Sequence, residues 1–293
     1  VGPGRFELPS QAPKAYNPNL SLDWRRDHDN FLSWLESRKY NRVYVQTILS
    51  YLGRYVGVLS GPMDVINAFH GLTEGQQHNL DRGVRALFNF YEAMGIDEDY
   101  LNAFRRVIPP EQEFVDLKVP EEQDILDSLG RVRRAPLKYR ALYHLLLDSG
   151  LRIVEGVKLI NNFEGSVEVK GSLRCELGYF RGSKLAYFGY MTHETLDLIE
   201  KVAGDHIEEQ NASHYYPKIK CVCGKYLRKF AFDTMISEKL NIPESVADFI
   251  QGRVPKTIGA RHYTRLMRQA DNFYPRYAEY IKQLRQKAGL IPA

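Results

Sequence analysis

Apolar residues recur at helical spacing through most of the first hundred positions. Ser21 reads as an N-cap, and Trp24, Phe31, Trp34 and Leu35 mark one face of a helix in LDWRRDHDNFLSWLESR. Val45, Ile48, Leu49, Leu52 and Val56 repeat the spacing in NRVYVQTILSYLGRYVGVL. LDRGVRALFNFYEAMG predicts a third helix closed by Gly95, and DEDYLNAFRRV a short fourth. Pro3, Pro9, Pro13 and Pro18 exclude a long helix at the start. The pattern predicts an extended arm over 1–20 and a helical bundle over 21–107. Pro109, Pro110 and Pro120, in a polar setting, predict an interdomain linker over 108–119.

A second domain is expected over 120–293. EEQDILDSLGRV and the strongly apolar LKYRALYHLLLDSG, ending at Gly150, predict two helices. SVEVKGSLRCELGYFRGSKLAYFGYMT alternates instead and is rich in Val, Tyr and Phe. Its Gly-Ser pairs at 171–172 and 182–183 are hairpin signals, so a sheet of two or three antiparallel strands is predicted. From HETLDLIEKVAGD onward the pattern is helical again, apart from a CVCGK loop. A helix is expected after Pro275, with Tyr277, Tyr280, Ile281 and Leu284 on its apolar face. The fold class is mainly α with a small antiparallel β-sheet.

Composition narrows the classes. With 44% hydrophobic and 26% charged residues the chain is globular, which excludes a disordered or collagen-like chain and a disulfide-stapled miniprotein. No run of ~18 apolar residues exists to form a membrane span. The start, VGPGRFELPS, has no signal-peptide core, so a cytoplasmic protein without membrane partners is expected. Three cysteines, Cys175, Cys221 and Cys223, suit a reduced compartment. Cys221 and Cys223 are one residue apart, closer than the spacing of about two to four in structural zinc sites. No phosphate-binding loop, zinc helix or nucleophile elbow is present, and neither metal nor cofactor is predicted. Charge is uneven: 12 Lys and Arg against 15 Asp and Glu in 1–117, but 28 against 21 in 118–293. A basic half suits an anionic partner, nucleic acid above all, or is simply a solvated surface.

The basic half holds a series of cations followed by a tyrosine. Arg152, in LLLDSGLRIVEGVKL, follows the helix end at Gly150 amid apolar residues, at the rim of a core where an Arg needs a partner. At the turn RGSK, Arg181 and Lys184 would face each other across a two-residue tip; edge-strand cations also discourage aggregation. Lys225 and Arg228 share a helical face at i, i+3, although Lys282 and Arg285 match the same KxxR pattern. Arg253, in GRVPKTIGARHYTRL, precedes Tyr263 by ten residues. Tyr274, Tyr277 and Tyr280 compete as nucleophiles but read as packing residues, and His262, pointing about 100° away from Tyr263, as structural.

This ordered series resembles the catalytic domain of the tyrosine recombinases over residues 118–270. The family's first box carries Gly-Leu-Arg with Glu three residues on, matched here by Arg152 and Glu155. Lys225 stands where most members have His, and Arg253 where most have His or Trp. Those departures resemble the archaeal, fusellovirus-type branch. The resemblance implies a helical core-binding domain before an α+β catalytic domain. Phe6-Glu7 can be encoded by a stretch containing the conserved T-loop sequence of a tRNA gene, as in integrase genes that begin inside such an attachment site.

The resemblance also implies a chemistry. Arg152 and Arg228 would clamp the phosphate, with Arg253 as an additional donor. Tyr263 would attack phosphorus and form a 3′-phosphotyrosyl link. Lys184 would protonate the 5′-oxygen, Arg181 being the alternative at the hairpin, and Lys225 would share the proton role. No metal or ATP is required. Double-stranded DNA is the expected partner, bound by four protomers, and the C-terminal helix is expected to dock on a neighbour. In the bundle Arg38, Lys39 and Arg42 are candidates for phosphate contacts, or for a solvated helix end. The rival readings are a type IB topoisomerase-like enzyme, a non-enzymatic helical DNA-binding protein (a regulator or degenerate recombinase) and an RNA-binding domain.

Overall fold

The computed structural model describes residues 21–110, 116–181, 184–202, 204–253 and 263–292, without the side chains of 180, 181, 184, 185, 263 and 264. The predicted arm over 1–20 lies outside the described residues. The chain divides into two units between Val115 and Asp116.

The first unit comprises α1 (His28–Ser37), α2 (Arg42–Tyr55), α3 (Pro62–Phe69), α4 (Glu74–Ala93) and α5 (Glu98–Arg105). Phe31, Leu35, Ile48, Leu52, Leu80 and Leu87 form its centre. The first helix starts later than the position of Ser21 predicts. Leu22 exchanges two 2.9 Å backbone hydrogen bonds with Leu59, and Trp24 Nε1 donates to the Val56 carbonyl (3.1 Å). Both side chains are buried: Leu22 lies in the bridge, and Trp24 opens the turn that leads into α1, across which the Asp27 amide donates to the Asp23 carbonyl (3.2 Å). The short α3 was not predicted; it buries only Val65 and Phe69, too few to reveal a period. Asp64 caps it by accepting from the Ser60 and Gly61 amides (2.7 and 3.0 Å). Gly95, at φ +88°, ends α4 in a left-handed turn, with the Ile96 amide donating to the Tyr91 carbonyl.

The second unit contains α6 (Glu122–Val132), α7 (Leu137–Ser149), α8 (Ile153–Asn161), β1 (Val167–Val169), β2 (Ser172–Arg181), β3 (Lys184–Met191), α9 (His193–Glu200), α10 (Glu209–Lys218), α11 (Gly224–Ile236), α12 (Glu244–Ile250) and α13 (Tyr263–Lys287). Every residue of α7 from Ala141 to Ser149 is buried, so this helix is enclosed on all sides. It packs against α8, α9, α11, α13 and β3.

The strands form one antiparallel sheet in the order β1-β2-β3. The first tip lies one residue earlier than predicted. Val169 pairs with Ser172, and Lys170 and Gly171 take φ +51° and +82°, the two positive angles of a type I′ turn. At the second tip Arg181 pairs with Lys184, as the two-residue turn demands.

Helix α13 runs continuously through Pro275 instead of starting after it. A proline lacks the amide that would bond the carbonyl four residues back, at a typical cost of about 3 kcal/mol. Anchors on both sides of Pro275 offset this. Tyr274 Oη donates to the Asp148 carbonyl (3.3 Å) and Tyr277 Oη to the Leu147 carbonyl (2.8 Å). Near its end Arg285, 1% exposed, donates to Asp148 Oδ1 (2.5 Å), Thr192 Oγ1 (2.5 Å), Thr195 Oγ1 (2.8 Å) and His144 Nδ1 (3.1 Å). The helix therefore buries its tyrosine face in its own chain, as expected of packing residues. Among the described residues no helix is long and apolar enough to cross a membrane.

Candidate functional site

The site begins where α7 ends. Gly150 has φ +61°, and a Cβ there would lie 2.4 Å from Gln251 Nε2, so only glycine fits. Leu151 is fully buried, and Arg152 occupies the N-cap of α8. Its backbone amide donates to Glu155 Oε2 (2.8 Å) and its Nη1 to Glu155 Oε1 (2.5 Å). Glu155 is buried and also faces Arg228 Nη1 at 3.8 Å, so one carboxylate balances two guanidinium groups.

Arg228, on α11, is 8% exposed. Its Nη1 donates to the carbonyls of Gly150 (2.8 Å) and Gln251 (2.7 Å). Its Nη2 is buried and has no hydrogen-bond partner among the described residues. Burial pushes this guanidinium down to about 9; Arg152 adds to the push, Glu155 opposes it and Arg253 adds again. The group keeps its charge at neutral pH in a place where an anion would relieve both the repulsion and the unmet donor.

Arg253, two residues past Gln251, pairs with Asp248 (Nη1 to Oδ1, 2.6 Å) and lies over the Phe232 ring at 5.1 Å. The structure thus brings Arg152, Arg228 and Arg253 together from three separated segments. The backbones of Arg181 and Lys184 pair at the end of β2 and β3. Tyr263 is the first residue of α13. The side chains of these three lie outside the described residues, as does His262.

Lys225 does not join the arginines. Its Nζ lies 2.6 Å from Asp116 Oδ2, which Lys229 approaches at 3.2 Å. The carboxylate beside it holds the Lys225 ammonium above its usual pKa, and Lys225 holds the Asp116 carboxyl well below the usual range. Lys229 also donates to the backbone carbonyls of Asp116 and Lys118. The carboxylate bridging Lys225 therefore links it to Lys229 at i+4 and not to Arg228 at i+3.

The competing candidates resolve into structural roles. Arg285 of the second KxxR pattern is locked in the buried network around Asp148. Burial pushes the phenols of Tyr274 and Tyr277 well above their usual pKa, and their hydroxyls are spent on backbone carbonyls. Tyr280 Oη donates to Glu122 Oε2 (2.9 Å). Cys175 and Cys221 are buried, and no group of three metal-ligating side chains occurs among the described residues.

In the first unit Arg38, Lys39 and Arg42 are exposed at the turn between α1 and α2, with Arg38 over the Trp34 ring at 4.9 Å and Lys39 at φ +57°. Sequence reasoning missed Arg82, whose guanidinium lies 4.5 Å from the Tyr44 ring centre beside the exposed Tyr40. It also missed Gln251 and Asp116. An Arg at i and an aromatic on another helix leave no local signature, and neither does a lone Gln or Asp whose partners lie far along the chain.

A sequence profile described as archaeal phage integrase matches residues 117–280, more than half of the chain. No curated protein matches the chain in sequence. Among solved structures, a lambda integrase dimer bound to a COC′ core site is similar with a TM-score of 0.62 at 14% identity, covering 86% of this chain and 78% of that one. A lambda integrase tetramer bound to a Holliday junction is similar with a TM-score of 0.62 at 13% identity, covering 82% and 80%. At such identities the likeness shows a shared fold. The helical first unit, the small sheet flanked by helices and the converging arginines accord with the profile match: the chain belongs to the archaeal phage integrase family, and so to the tyrosine recombinases of the phage-integrase type.

Proposed function

We propose that this protein is a site-specific DNA recombinase that cuts and rejoins strands through a covalent link between Tyr263 and a 3′-phosphate. The observation that carries the reading is the buried Nη2 of Arg228, without a hydrogen-bond partner among the described residues and set among Arg152 and Arg253. A phosphodiester under attack concentrates charge on its non-bridging oxygens, and preorganised guanidinium donors stabilise that charge without a metal.

In this mechanism Arg152, Arg228 and Arg253 hold the phosphate. The Tyr263 oxygen bonds to phosphorus as the bond to the 5′-oxygen breaks, and the phenol proton passes to solvent or a nearby base. Lys184, with Arg181 as the alternative, gives a proton to the departing 5′-oxygen, a role that Lys225 would share only on leaving its ion pair with Asp116. A free phenol titrates near pH ~10, and surrounding cations favour its ionised form. Attack by another strand's 5′-hydroxyl reverses the step, so no external energy source is needed. Double-stranded DNA attachment sites, including ones within tRNA genes, are the proposed substrates, assembled with two duplexes and four protomers on intracellular host or mobile-element DNA. The first unit would bind the duplex through Arg38, Lys39 and Arg42.

The test is to trap the adduct on a nicked or phosphorothiolate duplex and map it by mass spectrometry. The adduct should sit on Tyr263, form in the presence of chelator and vanish in Tyr263→Phe. Tight binding with no adduct would favour a degenerate recombinase that binds without cutting.

A further inference from the structure

We propose that Gln251 is a positioning residue of the strand-transfer site, holding Arg228 so that one guanidinium nitrogen is reserved for the phosphate. The inference rests on the proposed function for its phosphate, but the clasp itself is a property of the chain.

Gln251 is fully buried at the C-terminal end of α12. Its Nε2 donates to the Arg228 carbonyl (2.8 Å), while its own carbonyl accepts from Arg228 Nη1 (2.7 Å). Each residue thus holds the other's backbone. With the Gly150 carbonyl as second acceptor, both N–H groups of Nη1 are used. Nη2 is left over, buried and unpartnered among the described residues. A buried unmet donor typically costs about 1–3 kcal/mol, and functional sites are where such costs persist. The amide orientation follows from the same geometry. With the opposite orientation Oε1 would face the Arg228 carbonyl, oxygen against oxygen, so the NH2 end is the one that meets it.

The surroundings of Gln251 reach every segment that carries a site cation. Gly150, which leads into Leu151 and Arg152, leaves the room its amide needs. Gly252, at φ +74°, leads to Arg253, and a Cβ there would lie 2.8 Å from the Ala186 Cβ, two residues beyond Lys184 on β3. One Gln-Gly turn therefore abuts the backbone next to Arg152, Arg228, Arg253 and Lys184. A core filler needs only volume at this position. The reciprocal bonds supply direction as well, and misplacement by about 1 Å can cost 100-fold in rate.

Substitutions at Gln251 and Arg228, read by adduct formation and by NMR, test this. Gln251→Leu keeps most of the volume and loses the donor. Single-turnover adduct formation should fall by about 100-fold, with DNA affinity unchanged. In an Arg228→Ala background the same change should have little further effect, since residues acting as a unit are non-additive. Gln251→Glu should recover activity relative to wild type as pH falls, because a protonated carboxyl can again donate to the Arg228 carbonyl. Separately, nitrogen NMR of arginine-labelled, DNA-free protein should show the Arg228 Nη signals restrained in wild type and averaged in Gln251→Leu. Equal rates in Gln251→Leu and wild type, or a full additive loss in the Arg228→Ala background, would overturn the proposal. Arg228 signals unchanged in Gln251→Leu would do the same even if wild type formed no adduct. No wild-type adduct together with loosened Arg228 signals would instead remove the proposed function and leave the clasp standing.

Discussion

Arg285 and Asp148 meet 2.5 Å apart with both side chains sealed from solvent, joining the end of α13 to the end of α7. Asp148 Oδ2 also accepts from the Thr192 backbone amide and hydroxyl, each at 2.9 Å. Removing one partner of such a pair leaves the other charge buried and uncompensated, at a typical cost of about 3–5 kcal/mol. Arg285→Ala should therefore lower unfolding stability by that order, whereas Lys282→Ala, at an exposed position on the same helix, should change it by less than about 0.5 kcal/mol. Chemical denaturation of both variants checks the contrast, and equal losses would refute it.

His144 adds a pH dependence. Burial, then Arg285 and Arg140, hold this imidazole well below its ordinary pKa. Its Nδ1 accepts from Arg285 Nε, so the neutral ring protonated on Nε2 is the form that fits. The unfolded chain takes up a proton near pH ~6.5 and the folded chain only at lower pH. Between those values the unfolded state binds more protons, so stability falls with falling pH, by at most about 1.4 kcal/mol per pH unit from this group. Urea unfolding at pH 7.5 and 5.5 should show the loss, and His144→Asn should flatten it.

Asp116 and Lys225 give a local titration prediction. With the carboxylate at 2.6 Å the ammonium is favoured, so Lys225 should release its proton above 10.5, and Asp116→Asn should lower that midpoint. Carbon NMR of labelled lysine side chains reads it directly. A wild-type midpoint at or below that of a free lysine would show that the pair does not persist in solution.

The first unit makes a prediction about salt. If Arg42 meets a DNA phosphate, Arg42→Ala should weaken binding alike on different DNA sequences. It should also reduce the slope of log affinity against log salt by about 1. Arg82→Ala, next to Tyr44, should do the same if the stacked guanidinium extends that surface. Binding titrations at several salt concentrations check both, and an unchanged slope would remove Arg42 from the interface.

Helices whose one face is buried announce themselves by period, which is why α2, α4 and α6 are legible in the sequence, and α7 is legible as a continuous apolar run ending at Gly150. The alternation of β2 and β3, and the tip that pairs Arg181 with Lys184, were legible for the same reason. Trp24 keeps the helical spacing because it stands in the turn that leads directly into α1, although the helix itself starts at His28. Pro275 deceived because a local rule met a helix anchored on both sides by Tyr274 and Tyr277. At the site, the order of Arg152, Arg228, Arg253 and Tyr263 along the chain was enough to suggest a family.

By itself the sequence determined the alternation of helix and strand, the basic second half and which residue types were available to hold a phosphate. Those properties are local, since periodicity, charge and residue order need no partner. Only the tertiary structure decided which arginine is locked into the core and which keeps a nitrogen without a partner among the described residues. Arg285 and Arg228 stand in the same KxxR spacing, but one donates directly to the buried Asp148 carboxylate and the other to the backbone carbonyls of Gly150 and Gln251. Those partners come from up to 137 residues away, and burial turns a generic cation into either a structural bolt or a donor with no partner among the described residues.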